Sequence, residues 1–154
     1  VDAVERKSIE SLLSTTLDTC GRADILVNCA GVNSSIPYAE IPDDDWDRVL
    51  NTNLKSTHIG CQIFGSHMAT TGGGAILNIG SVSADKPLSK VFAYSASKAA
   101  VVNYTQNVAR EFATKDVRVN VLCPGFFPAE QNRKILSPER ISDRKEMLTV
   151  EQFI

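Results

Sequence analysis

Hydrophobic positions along this chain form two kinds of run, and the two kinds alternate. Between residues 5 and 20, Ile9, Leu12, Leu13 and Leu17 recur at helical spacing on one face, and Gly21 suits a C-terminal stop. Asp-Ile-Leu-Val-Asn (24–28) is short and continuously apolar, the pattern of a strand covered on both faces. Residues 32–42, rich in Asn, Ser and Pro, read as a loop. A long helix is predicted from Asp43 to about Thr70, opening on acidic residues that suit the helix dipole, with Trp46, Val49, Leu50, Asn53 and Leu54 on one face. Gly72–Gly74 introduces a second strand, 75–79. A further helix over 93–115 carries a stripe of Val101, Val102, Thr105, Val108 and Phe112. Val-Arg-Val-Asn-Val-Leu (117–122) is a third strand, stopped by Pro124 and Gly125. This order predicts an α/β domain with a mostly parallel sheet and helices on its faces. The charged tail, 137–154, has weak periodicity, compatible with a helical stretch over 138–153.

Composition narrows the picture by exclusion. The chain has 154 residues, enough for one domain with a modest core, and is 43% hydrophobic and 22% charged. Its formal net charge is −2, and no Lys/Arg run suggests nucleic acid or an anionic membrane surface. The apolar stretches are too short to span a membrane, and the opening Val-Asp-Ala-Val-Glu-Arg-Lys lacks the apolar core of a signal peptide. Cys20, Cys29, Cys61 and Cys123 form no C-x-x-C pair, and there are two histidines. The expectation is a cytoplasmic protein with reduced thiols, no metal and no disulfide, Cys29 and Cys123 being buried within apolar runs.

The candidate chemistry sits in Tyr-Ser-Ala-Ser-Lys (94–98). Tyr94 and Lys98, four residues apart on a helix, project side by side, and Ser81 follows the second strand. A nearby ammonium is expected to lower the phenol from its ordinary pKa of about 10, making Tyr94 a proton donor and acceptor for an alcohol–carbonyl pair. The Ser81 hydroxyl is placed to hydrogen-bond the same substrate oxygen, where negative charge develops.

With these residues the chain resembles the short-chain dehydrogenase/reductase family, over roughly residues 1–135. Asn-Cys-Ala-Gly (28–31) is similar to the family's Asn-Asn-Ala-Gly motif, with Cys29 in place of the second Asn. Asn53, in Asn-Thr-Asn-Leu-Lys (51–55), matches the family's catalytic asparagine, which holds a water leading protons toward the lysine. The resemblance implies a Rossmann-like, doubly wound parallel sheet and a cofactor, NAD or NADP. It implies cofactor contacts from Asp2 (to adenine), Asn28, Ala30, Gly31, Tyr94, Lys98 (to the ribose), Pro124, Gly125 and Phe127. The segment 124–133 most resembles a branch acting on sugar acids and polyols, in which Arg133 pairs with a substrate carboxylate. Ala129 stands where most relatives have a threonine that contacts the cofactor.

The family's Gly-rich phosphate-binding turn is not in this sequence. Gly72–Gly74 precedes a strand rather than a helix, so it lacks that context. The resemblance therefore implies a single partial Rossmann-like domain, containing strands 4, 5 and 6 of the family's sheet, with a divergent tail from 137. Strand 24–28 is then left as an apolar edge, and the helices 43–70 and 93–115, the family's usual dimer interface, make a homo-oligomer the expectation. Two functional readings stay open: an oxidoreductase acting on a small alcohol or carbonyl, or an inactive remnant serving as a self-associating module.

Overall fold

In the computed structural model, residues 1–125 are described. Residues 1–123 form one compact unit; of a second, 124–154, Pro124 and Gly125 are described. The elements run α1 (Arg6–Cys20), β1 (Ile25–Asn28), α2 (Asp43–Leu50), α3 (Ser56–Thr70), β2 (Gly74–Ile79), α4 (Phe92–Phe112) and β3 (Val117–Leu122), with 3-10 turns at Tyr38–Glu40 and Val82–Ala84. The strands form one parallel sheet in the order β1-β2-β3. In register, Asn28 lies opposite Asn78, and Ile76 opposite Val119.

The predicted elements are present with one interruption. Gly21 ends α1 in the left-handed conformation, at φ 74°, a position that favours glycine. The predicted helix from Asp43 to Thr70 is broken by a π-helical turn, Asn51–Lys55, in which the Ser56 N–H reaches back to the Asn51 carbonyl. The predicted apolar face is buried only in part. Val49 and Asn53 are buried, whereas Trp46 is 37% exposed.

The core lies on one face of the sheet. Ile9 of α1, Ile59, Phe64 and Met68 of α3, and Phe112 of α4 pack with Ile76, Val117 and Val119 of the strands. Close approach is secured at Gly65, where an added Cβ would lie 2.6 Å from the Phe112 ring. The opposite face is open among the described residues: Ile25 is 73% exposed, Val27 52% and Leu122 49%. The expectation that strand 24–28 is covered on both faces is thus corrected. Alternate side chains point to opposite faces of the sheet, and the described helices pack on the other one. The edge position expected for this strand is observed. Among the described residues no helix is long and apolar enough to cross a membrane.

Candidate active site

The C-terminal ends of the parallel strands gather the candidate residues. Ser81 follows β2 and caps the turn Val82–Ala84, its Oγ accepting the Ser83 N–H at 3.1 Å. Tyr94 and Lys98 occupy the first turns of α4, whose start packs on that turn. Ser81 neighbours the Tyr94 phenol and favours its ionised form. The Lys98 Nζ lies 5.6 Å from the Tyr94 ring centroid and donates to the Ile79 carbonyl at 2.7 Å. Lys98 is 5% exposed, an unusual burial for an ammonium.

The electrostatics differ from expectation. Burial pushes the Tyr94 phenol above its ordinary value, and Ser81 opposes that shift. Lys98 was expected to lower the phenol, yet burial dominates, because removing charge from water costs more than the surrounding dipoles return. Burial likewise lowers the Lys98 ammonium, opposed by Cys29 and then Cys123. Those two thiols were expected to be buried, but both are exposed, at the ends of β1 and β3; Cys61 is the buried one. Burial raises Cys61 to about 11, leaving it a neutral thiol.

Asn53 is fully buried on the π-helical turn and ties that turn to the loop after β1. Its Oδ1 accepts the Val32 N–H at 2.7 Å, while Nδ2 donates to the Val32 carbonyl at 3.0 Å and to Ser97 Oγ at 2.9 Å. Ser97 in turn donates to the Tyr94 carbonyl at 2.7 Å. The amide donors of Asn53 are therefore committed to structure, its main-chain carbonyl accepts from Thr57 Oγ1 at 2.9 Å, and one Oδ1 lone pair is left over. Gly31 opens that region: an added Cβ would sit 3.4 Å from Asn53 Oδ1 and 3.6 Å from Lys98 Nζ. An acceptor and a cation thus flank the position over this glycine. Lys98, with one acceptor shown for its three N–H donors, suits a hydroxylated ligand there. These residues fit the ribose side of a nicotinamide cofactor.

The other predicted positions are less central. Asp2 makes a local turn, its Oδ1 accepting the Val4 N–H at 3.0 Å. Asn28 points into the structure, donating to Asn78 Oδ1 at 2.8 Å, and Ala30 is exposed. Pro124 and Gly125 belong to the second unit, and Phe127, Ala129, Arg133 and the 138–153 stretch lie outside the described residues.

Sequence reasoning missed Ser83, Ser97, Asn78 and Thr105. Asn78 Nδ2 donates to Thr105 Oγ1 at 2.9 Å, which extends the Asn28–Asn78 pair across to α4. The signal was available, since Asn78 interrupts an otherwise apolar strand, and a buried amide requires partners.

The chain belongs to the short-chain dehydrogenase family, whose pattern matches residues 1–140. It is 33% identical over 153 residues to an NAD-dependent glycerol dehydrogenase of Listeria innocua, covering 99% of this chain and 60% of that protein. It is 35% identical to a D-threitol dehydrogenase of Mycolicibacterium smegmatis, covering 99% of this chain and 58% of the relative. A crystal structure of a gluconate 5-dehydrogenase from Burkholderia cenocepacia, in complex with NADP and tartrate, superimposes with a TM-score of 0.86 at 29% identity, over 91% of this chain and 55% of the other. The chain thus spans about three-fifths of the length of these relatives, and its fold is the Rossmann-type α/β fold that they share.

Proposed function

We propose that this chain carries the proton-transfer centre of an NAD(P)-dependent oxidoreductase that interconverts a secondary alcohol and a carbonyl, with a polyol or sugar acid as substrate. The observation that carries the reading is the buried Lys98, whose Nζ lies 5.6 Å from the Tyr94 ring centroid, with Ser81 at the turn on which α4 packs. In this reading Tyr94 exchanges a proton with the substrate oxygen, and Ser81 donates a hydrogen bond to that oxygen as charge develops. Lys98 holds the ribose hydroxyls and supplies positive charge next to the phenol. Asn53 maintains the proton path over Gly31. The nicotinamide, when bound, supplies or accepts the hydride. NAD and NADP are both compatible with the reading, as one named relative is NAD-dependent and a solved one holds NADP. Cofactor contacts are assigned to Asn28, Ala30, Gly31, Pro124, Gly125 and Phe127, with Asp2 toward adenine. Self-association through α2, α3 and α4 completes the proposal.

Two experiments test it. Titration calorimetry of NADH and NADPH into the folded 154-residue chain asks whether these residues hold cofactor; absence of binding favours the inactive, self-associating reading for this polypeptide. In the full-length gene product, Tyr94→Phe is expected to remove nearly all turnover of glycerol, threitol and gluconate and to leave cofactor affinity close to unchanged. Retained turnover sinks Tyr94 as the acid–base group. For the substrate class, Arg133→Ala is expected to raise KM more for gluconate than for neutral polyols, and equal effects leave Arg133 without a carboxylate to bind.

A further inference from the structure

Ser83 is 4% exposed and addresses Ser81 twice, through its N–H at 3.1 Å and its hydroxyl at 3.0 Å. A serine hydroxyl has two acceptor lone pairs and one proton. Both acceptor positions of Ser81 are taken by Ser83, so the Ser81 proton is left for another acceptor, and Ser81 favours the ionised Tyr94 phenol, as a donor does. We propose that Ser83 is a positioning residue that makes Ser81 a one-way hydrogen-bond donor to the oxygen at the reacting centre. The proposal rests on the acid–base reading of Tyr94 given above. Without the Ser83 hydroxyl, a Ser81 lone pair is released and can accept from a neighbouring O–H, so Ser81 is no longer confined to donating. The substrate oxygen then meets a lone pair where it had met a proton.

The backbone reason lies in the turn after β2. Ser81 is extended, at φ −168° and ψ 153°, and the 3-10 turn Val82–Ala84 folds the chain back so that Ser83 lies over it. The spacing of two residues is therefore what brings the second hydroxyl onto the first, and a Ser-x-Ser pattern at the end of a strand is its sequence signal.

Direction of donation is readable in the pH dependence of alcohol oxidation, which needs Tyr94 ionised and so rises with pH through its titration. The other titratable groups around this centre are Lys98 on α4, Cys29 after β1 and Cys123 after β3, and no Ser83 variant alters them. Ser81 as donor stabilises the phenolate. In the full-length gene product, Ser83→Ala is expected to move the rising limb of kcat upward by about half to one pH unit. Ser83→Thr, which keeps the hydroxyl, restores the wild-type midpoint, and Ser83→Gly, which also lacks the hydroxyl and adds no titratable group, gives the same shift as Ser83→Ala. A purely structural lesion lowers kcat at every pH and leaves the midpoint in place. Should Ser83→Ala not fold, Ser83→Gly against Ser83→Thr carries the comparison. An unmoved midpoint in the folded variants overturns the role of Ser83. Tyr94→Phe, assayed alongside, separates the two ideas, since turnover retained by that variant overturns the acid–base reading itself.

Discussion

Asn53 does at residue scale what usually takes a stretch of backbone: it pairs with both polar groups of Val32, as a neighbouring strand would. Asn53→Ala strands a buried N–H and C=O and a Ser97 contact, so it is expected to cost about 2–4 kcal/mol. Urea unfolding followed by circular dichroism reads this directly, and a loss within experimental error of zero rejects the strut. Lys98 makes a second residue-scale prediction. Its folded pKa is depressed by burial, so the protonated side chain costs stability at neutral pH. That cost is relieved as pH rises toward the ordinary lysine value, because the unfolded chain then binds the proton more tightly than the folded one. The stability of the wild type relative to Lys98→Met is expected to improve steadily as the pH of denaturation is raised through that window. A flat difference shows that the ammonium is not held below its ordinary value. Of these features, Tyr94, Lys98, Ser81 and Asn53 were legible from spacing and motif. The upward shift of Tyr94 was not, because burial depends on which elements close over the phenol.

At the scale of elements, α3 meets β1 at Gly60. A Cβ there would overlap the Asn28 amide, whose Nδ2 is already bonded to Asn78. Gly60→Ala is expected to destabilise the fold by roughly 1–3 kcal/mol. Paired with Asn28→Ala, which vacates the space, it should cost clearly less than the sum of the single changes, since contacting sites are not additive. Strict additivity in a double-mutant cycle places the clash elsewhere. The π-helical turn at Asn51–Lys55 is the other element-scale feature. Periodicity showed one helix from 43 to 70, because the π-helical turn runs directly into the helices on either side and no Gly or Pro within 51–55 marks the break. That break nevertheless puts Asn53 on the turn that bonds to Val32 and Ser97.

For the whole molecule, the decisive asymmetry is the sheet. One face carries the described helices, and the other presents Ile25, Val27 and Leu122 to solvent. Among the described residues this apolar face lies beside β1 at the edge of the sheet, an arrangement that promotes association. The 154-residue chain is expected to self-associate in a concentration-dependent way through this face in addition to the helical surface proposed above, and Val27→Lys should weaken this without lowering stability, because Val27 is 52% exposed. Sedimentation velocity across a concentration series checks it. If Val27→Lys leaves association unchanged while substitution of the exposed Trp46 on α2 abolishes it, the helical surface is the interface in use.

Apolar periodicity and glycine placement are local properties, so the order and type of the elements can be read along the chain. The candidate site residues are legible there too, because functional groups are written in the chain. Which face of the sheet is covered, which thiols are exposed, that burial raises Tyr94, and that Ser83 bonds to Ser81 and Ser97 to the Tyr94 carbonyl come from the folded arrangement. These depend on contacts between segments distant in the chain, or on the exact path of a short turn, and neither periodicity nor composition carries that information.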